Sequence, residues 1–482
     1  MTQRPHAIAP ASPAPAIAAP SFAPWKAEAK ATLALGLPIA ASHLAQILMN
    51  AIDVAMLGRV GPEAVAAGAL GFAVFLMVLI FLIGLAMGSA PMMAQAIGKG
   101  SKAMREVRRT LRQGVWATGL VALPFAVAMI WVEDLMLATG QDPAIAADAA
   151  AYVQALLPSL FFAAWFTVLR NFVSSYQRAV APMLIMGIGL LANVGFNYVL
   201  IYGHLGFPAL GVLGAGIGSS LAQFVMVSLL LGFVLVDRRF RRFHVLGRFW
   251  RADWKRFFEV LRLGTPIGLA LLFEIALFAG SAFVMGRIGV HELAAHQFAL
   301  QIASFTFMLP MGIANAAGIR VALAAGAADR AGVTRAGWTA VAIGVGFMAC
   351  MAVVLWTVPE LLVSVFLPAD GSAETTSVLA LATSYLAIAA LFQIFDAAQV
   401  IGANLLRGLK DTRTPMLFAA FGYWVLGLPV GIVLAFEFGL AGKGVWIGFV
   451  VALMAAAALM LGRFMLRERL PALQAALDGK LA

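Results

Sequence analysis

Twelve stretches between Trp25 and Arg469 are apolar for long enough to cross a bilayer, whose ~30 Å of hydrocarbon takes about 20 helical residues. They run over 32–57, 67–97, 113–132, 152–177, 181–202, 210–236, 263–286, 293–325, 335–358, 376–404, 414–436 and 441–465. In lipid a backbone group finds no water to bond, so segments of this length must close their hydrogen bonds internally, as helices. Composition agrees: 62% of the 482 residues are hydrophobic and 11% charged, where a soluble protein carries about 25% charged residues. One cysteine, Cys350, excludes an internal disulfide and a cysteine-held metal cluster. The expected fold is an all-α polytopic membrane protein with twelve transmembrane helices.

The net charge of +11 would suggest nucleic acid only if it formed a basic face on a soluble surface. It does not. With the N-terminus inside, 30 of the 33 Lys and Arg residues fall on inner segments, leaving Arg59, Arg287 and Lys443 outside. Such a bias places both termini in the cytoplasm and the chain in the inner, plasma membrane as a multi-pass protein. No nucleic-acid partner is expected. Residues 1–24, rich in Pro and Ala, read as a disordered cytoplasmic tail, and residues 471–482 as a second cytoplasmic tail.

The chain repeats itself. Gly36-Leu-Pro38-Ile matches Gly264-Thr-Pro266-Ile, and Gly58-Arg59-Val-Gly61 matches Gly286-Arg287-Ile-Gly289, both 228 positions apart. Pro182-Met183, Gly206 and Gly211-Val212 match Pro415-Met416, Gly439 and Gly444-Val445 at an offset of 233. Six spans per repeat is an even number, so the halves enter the membrane in the same direction, as two parallel six-helix lobes about a pseudo-twofold along the membrane normal. The lobes are expected over 25–236 and 263–470, joined by a basic and aromatic cytoplasmic linker, 237–262, that lies on the anionic inner leaflet.

Charge inside an apolar span is costly and marks function by default. Three carboxylates qualify: Asp53, Glu274 and Asp396. His43, Gln46, Asn50 and Asp53 follow at spacings of 3, 4 and 3 and share one helical face. Asn193 and Asn197 sit four apart, and Gln297, Gln301 and Ser304 repeat the 4-then-3 spacing. These polar stripes serve either as interhelical hydrogen bonds or as cavity walls for a substrate. His291-Glu292-Leu-Ala-Ala-His296 has one residue too many for a zinc-protease motif, and no phosphate-binding Walker loop is present.

Six short motifs in order carry a resemblance. They are Asp53-Val-Ala-Met-Leu-Gly58, Leu272-Phe-Glu274, Ala294-Ala-His-Gln297, Pro310-Met-Gly-Ile, Asp396-Ala-Ala-Gln399-Val and Leu406-Arg-Gly-Leu-Lys-Asp411-Thr. In these the chain resembles the multidrug and toxic compound extrusion (MATE) family, in its NorM-like bacterial branch. The resemblance implies a V-shaped pair of lobes and a monomeric secondary antiporter, not an enzyme, that needs no cofactor. It would export cationic, amphipathic, drug-like molecules in exchange for Na⁺ or H⁺, with membrane lipid around it. It assigns cation coupling to Glu274, Asp396 and Asp53, and Na⁺, if that is the ion, to Glu274 and Asp396. Gln399 is carried over with its motif as a cavity residue. Phe392 stands where such members can carry a tyrosine, so a phenol ligand is missing there and only a ring face faces the cation. The alternative is a lipid-linked precursor flippase of the same two-lobe architecture. It would line its cavity with Arg and Lys, whereas the mid-span charges here are acidic.

Overall fold

The computed structural model describes residues 23–100, 103–367, 372–469 and 474. The N-terminal tail up to residue 22 and nearly all of 471–482 lie outside the described residues; Ala23 and Pro24, placed in the tail by sequence, already belong to the first helix.

Among the described residues, twelve helices are long and apolar enough to span a membrane. They are α1 (Ala23–Gly58), α2 (Pro62–Lys99), α3 (Ala103–Ala138), α4 (Pro143–Ser175), α5 (Val180–Tyr202), α6 (Gly211–Val236), α7 (Trp254–Ile288), α8 (Val290–Gly326), α9 (Arg330–Thr357), α10 (Ala373–Gly408), α11 (Arg413–Phe436) and α12 (Ala441–Met465). Four of them, α4, α7, α9 and α10, start on a short polar side chain that accepts from a first free backbone N–H group. Asp142 accepts from Ala144 N at 2.9 Å, with Pro143 at the first helical position. Asp329 takes Gly332 N at 2.8 Å and Ser372 takes Thr375 N at 3.1 Å. α2 is broken at Gly88, and α11 contains a π-helical turn, Phe421–Gly427.

Helices α1–α6 and α7–α12 form two lobes that meet where the repeat places small residues. Gly84 and Gly88 of α2 face Gly264 and Gly268 of α7 so closely that a Cβ on Gly84 would stand 2.6 Å from Gly268 N. The repeat counterpart is α8 against α1: a Cβ on Gly312 would stand 2.6 Å from Ala40 N. Small residues four apart let backbones touch, and in lipid such packing replaces the hydrophobic drive between helices. All these residues lie in the half of the bundle where basic residues collect, here called the basic end. Hydrogen bonds joining the lobes lie in that half as well. Arg320 of α8 pairs with Glu28 of α1 (Nη2–Oε2 2.7 Å), Arg256 of α7 with Glu106 of α3 at 3.3 Å, and Gln95 of α2 donates to Gly408 O of α10 at 2.9 Å. The lobes are therefore closed at the basic end.

The connection between the lobes differs from its expected form. Residues from Trp254 onward continue α7 as helix, so the connection is shorter than 237–262. Phe240 and Phe243 do not lie on a lipid surface. They are buried, ring against ring with Phe172 and Tyr176. The rest of the segment is strapped to α3: Arg112 Nη1 donates to Gly247 O (2.9 Å) and Arg248 O (2.6 Å), and Trp116 Nε1 to Phe249 O (3.2 Å). Arg109 bonds Asp253 at 2.5 Å, and this guanidinium holds the carboxyl below its ordinary value of 3.8. A depressed carboxyl stays ionised above that value and releases its partner only as pH falls through the lowered one. The strap is thus charged and closed throughout the neutral range.

Candidate functional site

In the first lobe, Asp53 sits near the end of α1 away from the lobe contact. α5 and α6 present amides and a hydroxyl to it: Asn197 Nδ2 donates to Oδ1 at 2.6 Å and Ser219 Oγ to Oδ2 at 3.1 Å. Asn193 Nδ2 in turn donates to Ser219 Oγ at 3.2 Å. Both asparagines are fully buried, and their Oδ1 atoms have no hydrogen-bond donor. A carboxylate with orphaned amide oxygens beside it is an oxygen-rich environment of the kind hard cations take. Asn197 reaches Asp53 because Gly218 leaves room, since a Cβ there would overlap Oδ1 of Asn197. Gly218→Ala is therefore expected to drive Asn197 off Asp53, losing a hydrogen bond to a charged group worth about 1.5–3 kcal/mol. Thermal unfolding of Gly218→Ala, Asn197→Ala and the double variant tests this: losses that simply add would disprove the shared bond.

The remaining stripe on α1 is divided. Gln46 Nε2 donates to Asn50 Oδ1 along the helix at 3.4 Å, and His43 Nε2 faces Asn315 Nδ2 of α8 across the lobe contact at 3.2 Å. Ten residues of helix, about 15 Å, separate His43 from Asp53. The shared face is real, but its ends serve different places.

In the second lobe, Glu274 of α7, Asp396 of α10 and Gln297, Gln301 and Ser304 of α8 line one cavity of about 350 Å³, with Phe392 in its wall. Two consecutive helices, α7 and α8, and the distant α10 thus bring these residues to one cavity. Phe278, Phe307 and Met308 complete an apolar side. Glu274 and Asp396 are electrostatic neighbours, and among the described residues neither accepts a hydrogen bond. Gln399 is buried one turn further along α10, outside this cavity lining, with Oε1 unpaired.

Sequence reading missed three members of this neighbourhood. Ser219 belongs to no visible polar stripe. Tyr423 is fully buried in the π-helical turn, in the field of Glu274 and Asp396, with its hydroxyl unpaired. It supplies from α11 a phenol like the one Phe392 lacks. Arg407, counted among the cytoplasmic charges, is 9% exposed and is the cation within electrostatic reach of Glu274. With Arg170 it lines a cavity of about 50 Å³ between the lobes. The walls of that cavity pair under the repeat: Ile39 with Ile267, Ala90 with Gly318, Pro91 with Ile319, Asn171 with Asn404. It sits on the pseudo-twofold itself. The zinc-like motif does not gather. His296 is buried 3.3 Å from Ser281, and His291 is exposed, 4.0 Å from Glu374.

The model of the MatE family matches residues 38–199 and 266–433, one match in each lobe. The chain belongs to the MatE family. It is 44% identical over 446 residues to a probable multidrug resistance protein NorM of Mesorhizobium japonicum, covering 92% of this chain and 95% of that protein. A protein of the same name from Brucella suis is 40% identical over 440 residues, covering 90% and 92%. Among solved structures, the fold matches the eukaryotic MATE transporter AtDTX14 (TM-score 0.80, 21% identity, 94% of this chain and 99% of that one). It also matches a MATE in complex with MaD3S (TM-score 0.82, 20% identity, 93% and 97%). In this MatE protein each lobe holds one of the two matched segments, in agreement with the repeat read from glycines and prolines.

Proposed function

We propose that this chain is a secondary antiporter that exports cationic, amphipathic, drug-like compounds from the cell in exchange for Na⁺ or H⁺. The observation that carries the reading is the second-lobe cavity. Two neighbouring carboxylates, free of hydrogen-bond donors, stand beside aromatic and methionine side chains. An organic cation and a small inorganic cation both fit that chemistry, and they compete for the same charge. An inward-moving cation neutralises Glu274 and Asp396 and weakens their hold on the drug; by reciprocity the drug expels the ion. Phe278, Phe307, Phe392 and Met308 give an adaptable apolar wall of the kind promiscuous binders use.

Oxygen donors for Na⁺ are at hand in Glu274, Asp396 and the unpaired Tyr423 hydroxyl, while H⁺ needs the carboxylates alone. Asp53 with Asn193, Asn197 and Ser219 forms a second cation-responsive centre in the other lobe. The multi-pass arrangement in the inner membrane, with basic segments and both termini in the cytoplasm, makes the closed basic end the cytoplasmic gate. The structure then represents the outward-accessible state. The flippase reading is not favoured: the arginines between the lobes enclose about 50 Å³, far too little for a lipid-linked diphosphate.

Purified protein in liposomes, given a Na⁺ gradient or a pH gradient separately, is expected to move ethidium against its own gradient with at least one of them. If neither drives movement, the antiporter reading fails.

A further inference from the structure

Arg105, Arg108, Arg109 and Arg112 follow at spacings that put them on one face of α3. Opposite them runs the strapped segment between the lobes, with Arg248 and Arg251. Between the two lies a cavity of about 610 Å³ whose lining holds these six arginines and a single acid, Asp253, which Arg109 already engages. The other five have no acidic partner among the described residues. Arg112 is 8% exposed, its Nη1 spent on two backbone carbonyls, and its Nε is buried without a hydrogen-bond acceptor; the Nε of Arg108 is buried and unpaired as well. An anion among them would offset the repulsion of like charges and satisfy the buried donors.

Arg112 also lines a second cavity, of about 500 Å³, between α3, α4 and α6, with Phe249 of the strap over it. Its walls are Val115, Trp116, Leu120, Phe161 and Trp165. Both indole N–H groups are already used, by Phe249 O and Val115 O, so the rings offer only apolar surface. A basic chamber thus adjoins, at a shared arginine, an apolar groove along the membrane-spanning helices. A free phosphate or a nucleotide would satisfy the chamber and leave the groove unexplained.

We propose that this composite site binds one anionic phospholipid of the cytoplasmic leaflet, its phosphate among the arginines and an acyl chain in the groove. The leaflet follows from the topology read above; the site itself follows from the side chains. An anion there neutralises the arginine cluster that faces the strap.

The test uses full-length protein, delipidated in detergent and titrated with cardiolipin, phosphatidylglycerol, phosphatidylcholine or inorganic phosphate, read by native mass spectrometry and thermal unfolding. The anionic phospholipids are expected to stay bound and to raise the unfolding temperature, while phosphatidylcholine and phosphate at equal concentration do neither. Combining Arg108→Gln, Arg248→Gln and Arg251→Gln, whose side chains take no part in the hydrogen bonds that fasten the strap to α3, should weaken anionic-lipid binding by about a hundredfold, roughly fivefold per arginine near a membrane surface. Gly119→Leu, whose Cβ would meet only the Trp165 ring, at 3.4 Å, narrows the groove and should lower lipid affinity with every arginine in place. Equal binding of phosphatidylcholine overturns the proposal, as does displacement of the lipid by inorganic phosphate alone or unchanged affinity in the triple variant. Should the triple variant not fold, the lipid ranking of the wild type and the behaviour of Gly119→Leu decide the matter.

Discussion

Glu274→Gln and Asp396→Asn are each expected to reduce ethidium efflux to the level of cells lacking the protein, with expression and membrane insertion unchanged. The replacement amides keep size and shape and remove one negative charge from the 350 Å³ cavity. At contact distance and an effective dielectric near 20, one charge pair is worth about 4 kcal/mol, roughly a thousandfold in cation affinity. A loss of that size removes both the drug and the coupling ion from their shared site. Stability should rise or hold in Asp396→Asn, because a buried carboxylate without hydrogen-bond donors carries a desolvation cost that the amide lowers; in Glu274→Gln the loss of the charge facing buried Arg407 opposes that gain. Efflux assays alongside thermal unfolding separate the cases. Wild-type efflux in both variants would remove these carboxylates from the mechanism, and loss of activity only through unfolding would reduce them to structural roles.

Gly84→Leu is expected to open the basic end. Its new side chain enters where the backbones of α2 and α7 touch, 2.6 Å from Gly268 N, and neither backbone can rotate away as a side chain would. Overpacking of this kind costs roughly 1–3 kcal/mol, which shifts a balance between two access states by about 5–150-fold. The closed basic end should lose population and transport should fall, while Glu274, Asp396 and Asp53 keep their surroundings. Cys350, the single and exposed cysteine, can be replaced by serine so that spin labels at Lys30 and Arg330 report the gap between α1 and α9. Both positions are exposed. An unchanged distance distribution in Gly84→Leu would show that this contact does not govern closure.

Much of the site was legible because a charge stands out in an apolar run. Asp53, Glu274 and Asp396 are visible for that reason alone, and helical spacing correctly put Gln297, Gln301 and Ser304 on one face. Spacing could not say what a face meets. The Asn193–Asn197 stripe reads equally as packing or as substrate wall, and it is Asp53 that it holds. The stripe from His43 to Asp53 reads as one feature, yet His43 meets Asn315 in the other lobe. Tyr423 gave no signal, because its direction depends on a π-helical turn rather than on regular spacing. Phe240 and Phe243 mixed with arginines look like a surface segment; only the cleft beside Phe172 and Tyr176 buries them.

Sequence by itself determined the solvent, the element type, the number of crossings and the duplication. Each follows from local composition and from offsets along the chain, and a bilayer leaves the backbone of an apolar segment no other way to satisfy its hydrogen bonds. The tertiary structure decided what each polar group faces. Arg170 and Arg407 show the difference: by position they are two more cytoplasmic charges, and in the fold they line a cavity on the pseudo-twofold, Arg407 within the field of Glu274. The reason is physical. A charge count depends on where residues fall along the chain, whereas the interaction between charges depends on distance and on the dielectric between them. Those two quantities come into being only when the helices pack against one another.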